Sequence, residues 1–292
     1  MKKAYNLLLI AIILMTGGCS DFFISDVDSD KLPDQKSKLV VYGYITGGFL
    51  DYISVSYSVP YYSIDTSQNR RVINASVVVT YLNNDYVFTY NPETNRYLYS
   101  NTQPLSFNPG DTVFLRVEAD GFETVTSQTI VPVKRPTLLN KMKCDTIIQN
   151  EYGQEHTYVY YYTYFIDIEN EVNFYAPALF PSVVSDSIPI EVIFYRPEED
   201  LYSDVNRDGD TLVIKFSQEI YSNPSENTVD SLFFVLTSFN YEAGKFQQTS
   251  YNQYENGNGN PFAEPVIIYS NIKNGLGVFG TATNYAIKLR IK

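Results

Sequence analysis

Leu39-Val40-Val41-Tyr42-Gly43-Tyr44-Ile45-Thr46, then Gly47-Gly48, then Tyr52-Ile53-Ser54-Val55-Ser56-Tyr57 is the stretch that decides the fold class. Its first eight residues are dominated by β-branched and aromatic side chains, which pack well on a pleated surface. The second run alternates polar and apolar residues with a period of two, and the glycine pair between them reads as a turn. The same pattern continues outward. Strands are expected at 72–81, 86–90, 97–99, 112–119 and 124–131, punctuated by Asn83-Asn84-Asp85, Asn91-Pro92, Asn108-Pro109-Gly110-Asp111 and Asp120-Gly121. Seven short strands with regular turn signals predict an antiparallel sandwich of immunoglobulin-like or transthyretin-like type over residues 37–133.

Val131-Pro132-Val133-Lys134-Arg135-Pro136, bracketed by two prolines, reads as a boundary. Beyond it a second β-rich domain, 134–292, is expected, with strands at 145–148, 157–168, 190–195, 211–216, 229–239, 266–269 and 285–291 and a turn at Gly153. The strand at 157–168 is dense in tyrosine. Residues 241–254 are the one plausible helix, although Gly244 lies inside it. The expected fold class is therefore all-β, an N-terminal sandwich followed by a β-rich domain with at most one short helix.

The N-terminus reads as a targeting segment. Lys2 and Lys3 precede an uninterrupted apolar run, 7–15, too short to span a bilayer, and Thr16-Gly17-Gly18 closes on Cys19. Small residues before a cysteine suit a lipoprotein signal peptidase, whose substrate carries a diacylglyceryl group on that thiol. Thr16 stands where such a box usually has Leu, Val or Ile. Residues 1–18 are thus expected as a signal peptide and Cys19 as the lipidated residue, with 19–36 an acidic, serine-containing tether. Two or more acyl chains, each contributing about 0.8 kcal/mol per buried methylene, give stable attachment.

Loss of Lys2 and Lys3 with the leader leaves 19 basic against 33 acidic side chains, a net of −14. That charge weighs against nucleic acid and against adsorption to anionic lipid. Besides Cys19 only Cys144 remains, so no disulfide can form within the mature chain, and Cys144 is expected as a small packing residue. The chain holds 27 Tyr and 18 Phe but no Trp, which suits strands and recognition surfaces while weakening a tryptophan-type sugar platform.

Catalytic motifs are sparse. His156 is the only histidine, so a multi-histidine zinc site is impossible, and it falls in Tyr152-Gly153-Gln154-Glu155-His156, which reads as a hairpin turn. Paired carboxylates remain permitted by 33 acidic residues that the sequence cannot pair. Asp204-Val205-Asn206-Arg207-Asp208-Gly209-Asp210 matches the first half of a calcium loop through Asp204, Asn206 and Asp208, but Lys215 occupies the twelfth position where a bidentate Glu belongs. The competing reading is an Asx-rich turn before a strand. Residues 255–262 read as a polar linker loop or an exposed contact surface. Residues 271–280 are glycine-spaced without a GxGxxG or Walker pattern, so their glycines are expected to permit close backbone packing.

The order Ala75 to Val79, Asn95-Arg96-Tyr97, Pro109-Gly110-Asp111-Thr112 and Ala119-Asp120-Gly121 resembles the carboxypeptidase-regulatory type of sandwich, usually a scaffold. Over nearly the whole mature chain the sequence resembles a Bacteroidota outer-membrane lipoprotein family catalogued as domain-of-unknown-function family 4249. The residues that carry this are Lys38 to Ile45, Pro109 to Thr112, and Asp167 to Asn173 with Phe174-Tyr175. The ending is the most specific part: Asn260-Pro261-Phe262-Ala263-Glu264-Pro265, Tyr269-Ser270-Asn271-Ile272 and Asn274 to Gly280. The resemblance implies a cell-envelope lipoprotein often encoded beside a TonB-dependent receptor, with no established enzymatic activity and no catalytic residues. The expectation is a non-enzymatic accessory protein without a cofactor, anchored to the outer membrane with the surface leaflet favoured and assisting such a transporter in nutrient capture. The alternative is a surface hydrolase of glycan or peptide using paired carboxylates.

Overall fold

A computed structural model describes residues 36–46, 51–59, 70–99, 105–151, 154–181, 196–197, 199–220, 231–257, 264 and 266–291. The leader and nearly all of the tether, Cys19, Gly47-Gly48, Gly153, the strand expected at 190–195, and residues 258–263 lie outside them. Among the described residues the fold is all-β with one helix. In chain order the strands of the first half are β1 (Leu39–Ile45), β2 (Tyr52–Tyr57), β3 (Ser76–Tyr81), β4 (Asn84–Asn91), β5 (Arg96–Leu98), β6 (Thr112–Glu118) and β7 (Val125–Ile130). The second half adds β8 (Thr137–Glu151), β9 (Gln154–Ile166), β10 (Phe174–Pro181), β11 (Arg196–Pro197), β12 (Tyr202–Ser203), β13 (Thr211–Ile220), β14 (Ser231–Phe239), helix α1 (Tyr241–Gly257) and β15 (Leu276–Arg290).

In the first half, strict alternation places Val77, Val79 and Tyr81 of β3, Val113, Leu115 and Val117 of β6, and Val41, Ile53 and Tyr97 in one core. The first part of β4 pairs with β3 and its last three residues pair with β5, so one strand passes from one sheet segment to the next. In the second half Val159, Tyr161 and Phe165 of β9 and Leu212, Ile214 and Phe216 of β13 share a core with Leu179 of β10 and Leu232, Phe234 and Leu236 of β14. A one-residue register slip would turn each such set to solvent, at about 1.5–3 kcal/mol per large side chain.

Strand β15 belongs to both halves. Its beginning pairs parallel with β1, Gly277 opposite Val41 and Thr281 opposite Ile45, and its remainder pairs antiparallel with β14 from Ala282 opposite Phe239 to Arg290 opposite Ser231. Eleven strands thereby run in one mixed sheet, β12-β10-β14-β15-β1-β2-β5-β4-β3-β6-β7, and a second sheet has the order β11-β13-β9-β8. The close approach depends on glycine. Gly277 has φ +105°, and a Cβ there would collide with the Val41 carbonyl oxygen.

Several expected elements change. Residues 266–269 are not a strand: Val266 N–H donates to Gln253 Oε1 (2.7 Å) and Tyr269 N–H to Thr249 Oγ1 (3.0 Å), so side chains of α1 take the backbone bonds a ladder would have supplied. The last strand begins at Leu276 rather than 285 because glycines at 277 and 280 admit neighbouring groups. Strand β10 is an addition to the expected strands: its outward positions Ala176, Ala178 and Phe180 are as apolar as its buried ones, so its sequence shows no alternation. Gly244 sits inside α1 because a Cβ there would strike the Phe174 ring, so its absence lets the helix lie directly on β10.

Candidate functional site: an aspartate turn and a tyrosine-lined sheet face

The segment from Asp204 to Asp210 folds as two successive tight turns. Arg207 N–H donates to Asp204 C=O (2.6 Å), Asp210 N–H donates to Arg207 C=O (3.0 Å), and Asn206 and Gly209 take positive φ. Asp204 and Asp208 come together as the spacing suggested, but the third carboxylate is Asp167, just past the end of β9. One oxygen from each of Asp167, Asp204 and Asp208 lies within 4.8 Å of the others. Asn206 takes a positive φ within the turns, and Lys215 is a β13 residue opposite Tyr162. The sequence signal for Asp167 was only its place in the 167–173 segment, 37 residues before the turn.

Each member is held. Tyr175 O–H donates to Asp167 Oδ1 (2.6 Å) and Gly209 N–H to Asp167 Oδ2 (3.0 Å). Asn170 N–H donates to Asp208 Oδ1 (2.8 Å), and Asn173 Nδ2 donates to Asp204 Oδ2 (3.4 Å). Burial pushes the Asp204 carboxyl above its ordinary value and the Asp167 charge adds to this, against the opposing hydrogen bonds from Asn173. Burial likewise raises the Tyr175 phenol, reinforced by its bond to Asp167. An oxygen-only trio of this kind can hold a hard cation such as calcium. Its oxygens are closer than the roughly 5–9.5 Å of a glycosidase pair, and both oxygens of Asp167 are already engaged.

The second feature lies on the four-stranded sheet. Alternation along β9 buries Val159, Tyr161, Thr163 and Phe165 and turns His156, Tyr158, Tyr160, Tyr162 and Tyr164 to the opposite side, where all five are half-buried. His156 is thus a strand residue opposite Gln149, not a turn residue, and the β8–β9 pairing extends to Glu151 opposite Gln154. Its ring lies near-parallel to Tyr158 (centroids 6.4 Å apart, 20°), and Tyr158 repeats this with Tyr160 (6.4 Å, 26°). Lysines of the flanking strands cover the rings: Lys141 Nζ is 4.4 Å from the Tyr164 centroid, Lys143 Nζ 5.4 Å from Tyr162 and Lys215 Nζ 4.6 Å from Tyr160. Lys143 also bonds Asp145 Oδ2 (2.6 Å).

Cys144, expected as a packing residue, is exposed on β8 at the sheet edge. Partial burial of the sulfur and the charge of Asp145 push its thiol up, which makes it a poor nucleophile at neutral pH.

Two cores, in halves linked by one shared strand, and a four-stranded sheet presenting a tyrosine-lined face define an all-β protein. The chain belongs to the family described as domain of unknown function DUF4249, which matches it over residues 25–287. No curated protein matches the chain.

Proposed function

We propose that this is a non-catalytic, lipid-anchored binding protein of a Bacteroidota cell envelope, working beside a TonB-dependent outer-membrane transporter in nutrient capture. The observation that carries the binding role is the open face of β9, where five aromatic side chains stand in a row among lysine ammonium groups. Aromatic rings with polar tips are suited to recognition at a wet surface. The leader ending at Cys19 supports the anchor, and the family resemblance supports the outer-membrane setting and the transporter.

Two experiments test this reading. Metabolic labelling with palmitate should mark the wild-type protein and not Cys19→Ala, which should leave the membrane fraction; an unlabelled wild type would overturn the anchor. Affinity purification from outer membranes with Cys19 intact should recover a TonB-dependent transporter, and repeated failure to recover one would overturn the partnership.

A further inference from the structure

We propose that the outer face of β8, β9 and β13 is a binding face for an acidic polysaccharide, its carboxylate or sulfate groups meeting Lys141, Lys143 and Lys215 and its hydroxyls meeting the phenols of Tyr158 to Tyr164. This deepens the binding role proposed above and rests on it. The first argument is charge. On a chain of net charge −12, three lysines converge on one sheet face. Asp145 lies opposite Tyr160 and is bound to Lys143, and Glu219 falls opposite Tyr158, so the positive character concentrates around Tyr162, which has Lys143 and Lys215 opposite it in register, and Tyr164, which has Lys141 over its ring. A positive patch on an acidic protein selects an anionic partner at close range.

Ring orientation supplies the second argument. Side chains stand roughly perpendicular to a sheet. With ammonium groups over the ring faces at 4.4–5.4 Å, those faces turn toward the neighbouring strands and the hydroxyl edges turn outward. The surface therefore offers rows of phenol hydroxyls and cations that their rings hold in place, which is hydrogen-bonding and ionic chemistry rather than ring stacking. That explains how a chain without tryptophan can present a glycan surface. Nucleic acid is a poorer fit, because base stacking needs uncovered ring faces. A protein interface is a poorer fit too, because interface cores are depleted in lysine.

Length is the third argument. At about 3.3 Å per strand residue, the row from His156 to Tyr164 runs roughly 26 Å, which matches an extended polymer rather than a single sugar.

The test is affinity electrophoresis and calorimetry of the full-length protein with polygalacturonate and chondroitin sulfate, using dextran as the neutral polymer and single-stranded DNA as the non-glycan polyanion. The wild type should bind at least one acidic polysaccharide and neither control. Lys141→Gln/Lys215→Gln should weaken binding about tenfold or more, the loss of two close charge contacts, and Lys141→Arg/Lys215→Arg should restore it. Neither the exposed Lys141 nor the half-buried Lys215 belongs to the core, and a Tyr160→Phe/Tyr162→Phe variant reads the phenol contribution separately. Absence of binding to both acidic polysaccharides, equal binding to dextran or DNA, or binding indifferent to the Gln pair would overturn the proposal. Transporter recovery is scored independently, so failure here with the transporter still recovered would remove the ligand class and leave the envelope role standing.

Discussion

Asp204 shows how a single residue can be held at some cost to the fold. Its carboxyl lies above the ordinary Asp value because of burial and the neighbouring Asp167 charge, so the folded state binds its proton more tightly than the unfolded chain does. The stability it contributes is therefore fully present below the unfolded value of about 3.9 and is lost as pH rises through the raised folded value. Asp204→Asn, which mimics the protonated form, should melt higher than wild type at pH 7 in chelator-containing buffer, and the gap should close as pH falls below 4. A constant gap across a pH series of melting curves would contradict this account. Tyr97 works in the opposite sense. Its buried hydroxyl accepts from Ala75 N–H and donates to Val72 C=O, both at 2.8 Å, closing the loop before β3. Tyr97→Phe strands two backbone groups and should cost about 1–3 kcal/mol in urea denaturation. Gly277→Ala should be worse, on the order of 3 kcal/mol or more by the same measurement, because positive φ and the collision with the Val41 carbonyl act together.

Among elements, α1 and the strands it touches are tied through Asn240. Its Oδ1 accepts from Ala243 N–H (3.2 Å), capping the helix, and from Thr281 N–H (3.1 Å) of β15, while its Nδ2 donates to Thr129 Oγ1 (2.5 Å) of β7. One amide thus joins helix, last strand and first-half sheet. Asn240→Ala should lose about 2–3 kcal/mol, more than a cap alone, since the Thr281 N–H is left buried without this acceptor. Denaturant midpoints for Asn240→Ala and Asn240→Asp separate the parts, because Asp retains the acceptor and loses the donor. Strands such as β2 and β6 were legible because each buries one face: Ile53 and Val55, and Val113, Leu115 and Val117, recur at every second residue in the sequence and are the buried positions in the fold. Strand β10 and the start of β15 were not. In β10 burial alternates from Tyr175, but its outward positions Ala176, Ala178 and Phe180 are as apolar as the buried ones, and residues 277–282 of β15 are buried throughout, so neither segment shows a period of two in its sequence.

At the scale of the whole molecule, residues 37–292 form one compact unit, and β15 bridges its two cores. Ile272 and Phe279, from the end of the chain, lie in the core of the first half. The chain should therefore unfold in a single cooperative calorimetric transition, and a fragment ending at residue 136 should lack the sharp melt of a folded domain. Two separated transitions, or a stably folded fragment, would show that the halves are independent.

Residue order alone determined the all-β class, the helix after residue 240 and the acidic character, because each is written in neighbouring residues through a period or a charge count. It also placed the tyrosines of β9 in a run without showing that four of them share a face with lysines of β8 and β13. Only tertiary structure decided that Asp167 meets Asp204 and Asp208, that Gly277 abuts Val41, and that Lys141, Lys143 and Lys215 lie over tyrosine rings. These contacts join residues far apart along the chain. Their geometry follows from strand register and sheet order, which side-chain burial selects and which no local pattern encodes.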